Sequence, residues 1–381
     1  MQVPDNHEVA QLVENIQKFA LDNLRFGNAI DEFDASQFAS NWQACAKYGV
    51  LGLYVPAEFG GRGLPMLTTI KMLEALGYAF PDDGFTLGIN GQMWAVQEPI
   101  LQFGSEEQKE KFLPKLIDGS CIGAHGMTEE GAGSNAFGLQ TTAEKVAAGY
   151  QLNGKKIYIG LSPVCDLILT FASTDSRKGR WGISCFLVDA STNGVSLSPP
   201  QEKMGLRTAP LGQVNFENVL VSEDRMLGKP GAGASIFSAS MEYERSFIFA
   251  SHVGAMARQL DETIQFARER KIGLHPIGKH QTVANRIADM KVRLETSRMF
   301  LYRAAELVDA GESLPLEAAM AKLVISESYV ENSLSAIRIH GGKGYMSEFG
   351  IERSLRNALG GVIYSGTSDI QRNLIAGMLG L

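Results

Sequence analysis

Cysteine is scarce and scattered in this 381-residue chain: Cys45, Cys121, Cys165 and Cys185 stand far apart, with no CxxC pair among them. That spacing supports neither a disulfide framework nor a thiolate zinc site, and reduced, buried thiols in a cytoplasmic protein are expected. Histidine is equally sparse. The six (His7, His125, His252, His275, His280, His340) include no HxxxH or HExxH spacing, so no metal site is expected. Long runs of Lys or Arg are missing and the formal net charge is −7, which argues against a nucleic-acid partner. No apolar run reaches the length of a membrane span. The opening MQVPDNHEVAQ carries acids and no apolar core, so no leader is expected there. With only 13 prolines, 45% hydrophobic residues and no low-complexity tract, the composition excludes a disordered chain. Its length predicts two or three subdomains with substantial cores.

What is present falls into three stretches. Residues 1–120 repeat apolar positions every three or four residues, as in VAQLVENIQKFALDNL and MLTTIKMLEALGYAF, and predict an N-terminal helical domain. Within it SEEQKEKFLPKLIDG predicts a capped helix starting at Ser105 and ending at Gly119. Over 121–230 the period falls to two. LILTFAS, ISCFLVDA and QVNFENVLV predict strands, and YQLNGKKIYI predicts a hairpin turning at Asn153-Gly154. After LGKPGAGAS the helical period returns, so residues 231–381 predict a C-terminal four-helix bundle or a close relative, interrupted near KIGLHPIGK, DAGESLP and HGGKGY. The fold class expected is therefore α+β and multidomain, in the order α, β, α.

MTEEGAGSNAFG places Gly131 and Gly133 in a GxG arrangement. A nicotinamide-binding Rossmann turn would need a helix to follow, whereas β-type sequence follows. Glycine-rich backbone can still approach a pyrophosphate through its N–H groups. MTEEGAGSN, NGKKIYI, FARERKIGLHPIGKHQ, IHGGKGY and YSGTSDIQR, in that order along nearly the whole chain, resemble the acyl-CoA dehydrogenase family of flavoproteins. The resemblance implies a helical domain, a central β-barrel domain and a C-terminal four-helix bundle, with FAD between the last two. It implies Met127 and Thr128 at the flavin ring, and Gly133 and Ser134 near the pyrophosphate or the substrate tether. Tyr158 and Gly160 fall beside the isoalloxazine. Arg270, Gln281, Gly341 and Gly342 match positions that reach the FAD of a neighbouring subunit, and Thr367 and Asp369 match positions near its adenosine phosphate. A homotetramer is the assembly implied.

The family's reaction needs a base, and many members carry a glutamate where this chain has Ser365. Serine cannot serve unaided. In SIFSASMEYERSFIFASHVGAMA, Phe237, Met241, Ile248 and Ala255 form one helical stripe with Glu244 inside it, whereas Glu242 can meet Arg245 at i+3 and reads as surface charge. A carboxylate on an apolar stripe has its pKa raised, which suits a general base, although a structural ion pair fits the same pattern. The resemblance adds that a minority branch carries its glutamate immediately before an arginine on this helix, as at Glu244-Arg245. It makes Glu244 the base, with Arg245 near the tether or carbonyl.

Three departures from the family pattern stand out: Gly160 where a threonine is usual, Arg338 for the glutamine before the glycine pair, and Gly273-Leu274 in place of a Phe-Gly pair. The combination of Glu244 and Ser365 resembles the branch that oxidises aminoacyl groups tethered to a carrier protein. That implies a prolyl thioester on a phosphopantetheine arm, oxidised to a dehydroprolyl thioester by α-proton abstraction and hydride loss to FAD, with oxygen or an electron-transfer flavoprotein as acceptor. A short branched-chain acyl-CoA dehydrogenase and a non-catalytic FAD-binding scaffold are the alternatives.

Overall fold

Six helices build the first third: α1 (Asn6–Asn23), α2 (Ala35–Tyr48), α3 (Met66–Ala79), α4 (Asp83–Gln92), α5 (Glu98–Phe103) and α6 (Glu106–Ile117). The computed structural model describes residues 4–26 and 31–381. Residues 1–3, part of the N-terminal stretch read above, lie outside the described residues. Caps fix where these helices start. Asp5 accepts from the N–H groups of His7 and Glu8 while Glu8 answers to the Asp5 N–H, and Ser105 and Gln108 form the same reciprocal box at α6. Beyond α6, Gly119 turns the chain at φ +75°. A π-helical turn, Met93–Gln97, joins α4 to α5, and such turns re-aim the side chains that follow them.

The middle third is one eight-stranded sheet made of β1 (Gly123–Gly126), β2 (Thr142–Val146), β3 (Gly149–Gly160), β4 (Leu167–Ser173), β5 (Ile183–Asp189), β6 (Val195–Leu197), β7 (Leu211–Val221) and β8 (Met226–Leu227). The order is β6-β7-β3-β2-β4-β5-β8, with β1 parallel to β4. The predicted hairpin turn at Asn153-Gly154 is wrong. Strand β3 runs straight through both residues, and the turn lies at Ala147-Ala148, where Val146 pairs with Gly149. Asn153 and Gly154 instead form an irregularity in the β3/β7 ladder: the Asn153 Oδ1 accepts from the Asn218 N–H at 2.8 Å, and a Cβ at Gly154 would collide with Thr141.

The last third holds α7 (Gly233–Phe247), α8 (Ala250–Glu269), a small hairpin of β9 (Lys271–Ile272) and β10 (His275–Pro276), α9 (Gln281–Asp309), α10 (Pro315–His340), α11 (Gly342–Tyr345), α12 (Ile351–Gly361) and α13 (Ser368–Met378). The apolar stripe read as one helix is two, because the chain breaks at Ile248-Phe249 between α7 and α8. Met241, Ile248 and Ala255 are nevertheless all buried.

One hydrophobic core joins the first and last thirds: Ile16, Trp42 and Leu73 belong to the same cluster as Leu260, Leu301, Ile325 and Ala358. Helices α3 and α8 touch so closely that a Cβ at Gly254 would run into the Glu74 backbone. Carboxylates reinforce this seam. Asp309 accepts from the Met66 and Leu67 N–H groups at the start of α3 (2.6 and 3.0 Å), and Glu74 meets Arg298 and Tyr302 (2.7 and 2.6 Å). Asp83 accepts from Tyr329 (2.7 Å) and Asn357 (3.0 Å) and pairs with Arg258.

Candidate active site

Glu244 lies in the last turn of α7 and is 9% exposed. Its Oε1 accepts a 2.6 Å hydrogen bond from the Ser365 hydroxyl, and its Oε2, also shielded from solvent, has no partner among the described residues. Burial raises its pKa above the usual carboxylate range, and the Ser365 bond and the Arg245 charge offset only part of that. No side-chain ion pair is made to Glu244 among the described residues, so the ion-pair alternative is not realised. Ser365 itself adopts φ +55°, unusual outside glycine, and is followed by Gly366 at φ +87°. Gln371, fully buried, holds that turn by donating to the carbonyls of Ser365 (3.3 Å) and Gly366 (2.9 Å). Tyr364 stacks on Phe249, with ring centroids 5.4 Å apart. Arg245 points its unpartnered Nε towards the same turn, 4.0 Å from where a Gly366 Cβ would sit.

The loop after β1 is pinned from two sides. Thr128 accepts from the Ile157 N–H of β3 (2.9 Å), and Lys156, fully buried, donates to the Met127 carbonyl (3.2 Å) and to Glu129 (2.8 Å). Glu129 also takes the N–H groups of Gln140 and Thr141 at 2.6 and 3.1 Å. Burial alone would raise its pKa, but Lys156 and these bonds carry it below the usual value. Burial also lowers Lys156, to about 8, against the opposing pull of Glu129. Met127 is buried, whereas Gly133 and Ser134 are exposed. At the edge of β3, Tyr158 (φ +56°) is 66% exposed, and among the described residues no atom beyond the chain neighbours lies within 4 Å of where a Cβ would sit on Gly131, Gly133 or Gly160. Phe237 of α7 contacts both His125 of β1 and Phe137, with centroids 6.0 and 5.8 Å apart. Seven residues separate Phe237 from Glu244, about two helical turns and about 10 Å along one face of α7. The glycine loop and the buried glutamate therefore address the same side of that helix.

A second group gathers elsewhere. Arg270 and Gln281 are exposed where α8 passes into α9, and Gly341 and Gly342 are exposed at the end of α10; the Phe266 and His340 rings, stacked at 4.2 Å, bring those helix ends together. No hydrogen bond among the described residues links this group to the β3 edge. Thr367 caps α13, accepting from the Ile370 N–H at 3.2 Å, while Asp369 is exposed and pairs with Arg372.

Sequence reasoning missed Glu129, Lys156 and Gln371, which hold the two turns in place. For Lys156 in β3 and Gln371 in α13 the available signal was a charged or amide residue inside a regular element, whereas Glu129 lies in the loop after β1 and carried no such signal. It also misread Glu242, which is half-buried with its pKa raised mainly by burial and makes no ion pair with Arg245 among the described residues.

Models of the N-terminal, middle and C-terminal domains of acyl-CoA dehydrogenases match residues 6–120, 124–219 and 231–380. The chain belongs to the acyl-CoA dehydrogenase family. Within that family it is 41% identical, over 89% of both chains, to the L-prolyl-[peptidyl-carrier protein] dehydrogenase of Pseudomonas fluorescens. It is 32% identical to the mitochondrial isovaleryl-CoA dehydrogenase of Arabidopsis thaliana, over 96% of this chain and 89% of that one. The crystal structure of the prolyl acyl carrier protein oxidase AnaB superposes with a TM-score of 0.96 at 42% identity, covering 99% of this chain and 100% of the other. The structure of PigA with FAD and proline gives 0.93 at 35%, covering both chains fully. The expected fold, a helical domain, a β domain and a second helical domain of the acyl-CoA dehydrogenase type, is the one observed.

Proposed function

We propose that this protein oxidises a prolyl thioester, presented on the phosphopantetheine arm of a carrier protein, to a dehydroprolyl thioester, with FAD as its cofactor. The observation that carries the reading is the buried Glu244 carboxylate, one oxygen held by Ser365 and the other unpartnered, in a chain similar throughout to prolyl carrier protein dehydrogenases.

The residues present fit a flavin. The exposed Tyr158 ring, the open faces of Gly131, Gly133 and Gly160, and the exposed Ser134 offer a flat aromatic surface beside backbone that a pyrophosphate can approach. Met127 and Thr128, fixed from β3, would border the ring, and Thr367 and Asp369 would serve the adenosine end. When bound, FAD supplies the acceptor for the hydride equivalent. Glu244 takes the α-proton through its free Oε2, because Oε1 is committed to the Ser365 hydroxyl. Ser365 thereby orients the base and offsets part of the pKa rise that burial causes. Arg245, whose Nε lies beside the Ser365-Gly366 turn, would face the tether or carbonyl.

Arg270, Gln281, Gly341 and Gly342 would meet the cofactor of a second copy. In support, Ile272, Leu274 and Tyr345 near that bundle end are 63%, 88% and 83% exposed, an apolar surface that a homotetramer would cover.

The test is anaerobic mixing of the yellow holoenzyme with prolyl-loaded carrier protein and, separately, with isovaleryl-CoA, following loss of oxidised-flavin absorbance. Bleaching with the prolyl carrier alone is expected. Bleaching with the CoA ester alone would assign the protein to branched-chain acyl-CoA oxidation, and the rate of reoxidation in air would then separate oxygen from a protein acceptor.

A further inference from the structure

Gln371 has no part in the chemistry described so far, yet it holds the backbone that carries Ser365. It lies in the first turn of α13, is fully buried, and donates from Nε2 to the Gly366 carbonyl at 2.9 Å and to the Ser365 carbonyl at 3.3 Å. Its own Oε1 is shielded from solvent and has no partner among the described residues. A buried amide ordinarily satisfies both of its ends, so one that leaves its oxygen empty while serving two carbonyls is committed to them. Turning the amide over would set oxygen against oxygen. What Gln371 holds is a turn that needs holding: Ser365 has φ +55° and Gly366 φ +87°. A residue with a side chain rarely adopts the first of these, and keeps it only where the surroundings over-determine it. Tyr364 is fixed on one side by its stack on Phe249, and the Ser368 N–H returns to the Val362 carbonyl at 3.0 Å on the other. Gln371 closes the turn between them. Glycine at 366 permits that closure, because a Cβ there would stand 2.7 Å from the Gln371 Nε2.

We infer that Gln371 is a positioning residue for the base: by holding the Ser365-Gly366 turn it keeps the Ser365 hydroxyl on the Glu244 Oε1, 2.6 Å away, and leaves Oε2 for the substrate. Rotamer and backbone are linked, so a turn released from Gln371 swings the hydroxyl off the carboxylate. The inference rests on the reading of Glu244 as the base. Other groups bear on this carboxyl or stand near it. Arg245 is the charge that acts on it, and Tyr364 lies beside it in the turn. Lys322 of α10 is within reach of Arg245 and of Arg372 on α13, while Glu98 of α5 bears on Glu242 instead. None of these is altered when Gln371 or Ser365 is replaced.

The test is a double-mutant cycle read as a pH profile. Anaerobic flavin reduction by prolyl-loaded carrier is followed across pH in the FAD-loaded wild type, Gln371→Leu, Ser365→Ala and the double variant. Gln371→Leu is expected to move the acidic limb of kcat/KM to higher pH, in the same direction as Ser365→Ala, with the rate below the limb falling about tenfold and the plateau kept. The double variant is expected to match Ser365→Ala alone, because Gln371 acts only through that hydroxyl. A loss equal at every pH, or effects that multiply in the double variant, would overturn the inference. Gln371→Asn, whose amide is one methylene short of the turn, carries the same comparison if the leucine variant does not fold. Infrared titration of the Glu244 carboxyl, assigned by difference from Glu244→Gln, needs no substrate. A carboxyl that titrates higher in Gln371→Leu, in a protein whose flavin reduction survives Glu244→Gln, would keep the positioning role and reject the base. A carboxyl that titrates as in the wild type would reject the positioning role whatever the base is.

Discussion

Glu244 differs from a surface glutamate in having one oxygen held and the other shielded from water without a partner. Replacing this proposed base with Gln keeps the shape and removes the proton acceptor, so flavin reduction by the prolyl carrier should fall about 10²- to 10⁴-fold while bound FAD and melting temperature stay as they were. Stopped-flow absorbance checks this, and a rate within tenfold of the wild type would remove Glu244 from the base role. Ser365→Ala has a signed consequence. The hydroxyl lowers the Glu244 pKa against the raising effect of burial, so its loss lets the pKa climb. The acidic limb of the kcat/KM profile should then move to higher pH, with the plateau above it largely kept. A limb that stays put would mean that Ser365 does not hold the ionised base. The burial of Glu244 was legible in the sequence because an acid on an apolar stripe is conspicuous, whereas its proposed role as base came from the family resemblance. Glu242 was not, because a nearby arginine supplied a partner on paper that the fold aims at the Ser365-Gly366 turn instead.

Helices and strands were legible wherever local chemistry decides them. The capping box at Ser105, the stop at Gly119 and the change of period near residue 121 each depend on residues only a few positions apart. Asn153-Gly154 misled because the choice between hairpin and bulge rests on β7, some sixty residues later, whose Asn218 donates to Asn153. The break between α7 and α8 was hidden by apolar residues that are buried on both sides of it. The Lys156–Glu129 pair ties β3 to the glycine loop, and it too was beyond local reading. Lys156→Met should cost about 3–5 kcal/mol, because Glu129 keeps its burial and loses its cation. Adding Glu129→Leu does not simply restore the loss, since the N–H groups of Gln140 and Thr141 then lack their acceptor. Urea titration of the single and double variants measures both terms, and a single variant as stable as the wild type would show that the pair is not structural.

At the scale of the whole molecule, the first and last thirds form one body. Asp83 shows why: burial alone would raise its pKa, but Arg258, His252, Asn357 and Tyr329 together bring it below the usual value. A depressed pKa stabilises the fold above the unfolded carboxyl pKa, and that contribution is lost as pH falls through the folded value. Asp83→Asn should therefore lower stability by about 3 kcal/mol at neutral pH and by progressively less on acidification, as urea midpoints at pH 7 and in mild acid would register. An equal loss at both would deny the carboxylate its charge-dependent role.

The shared core has a further consequence during synthesis. Ile16, Trp42 and Leu73 bury their faces against residues that include Ile325 and Ala358, and Ser365 reaches Glu244 only from the segment just before the final helix. As the chain emerges from the ribosome, the apolar faces of α1, α2 and α3 stay incompletely covered until α10 and α12 have been made. A chain terminated before α10 would therefore leave its first third without part of the surface it packs against.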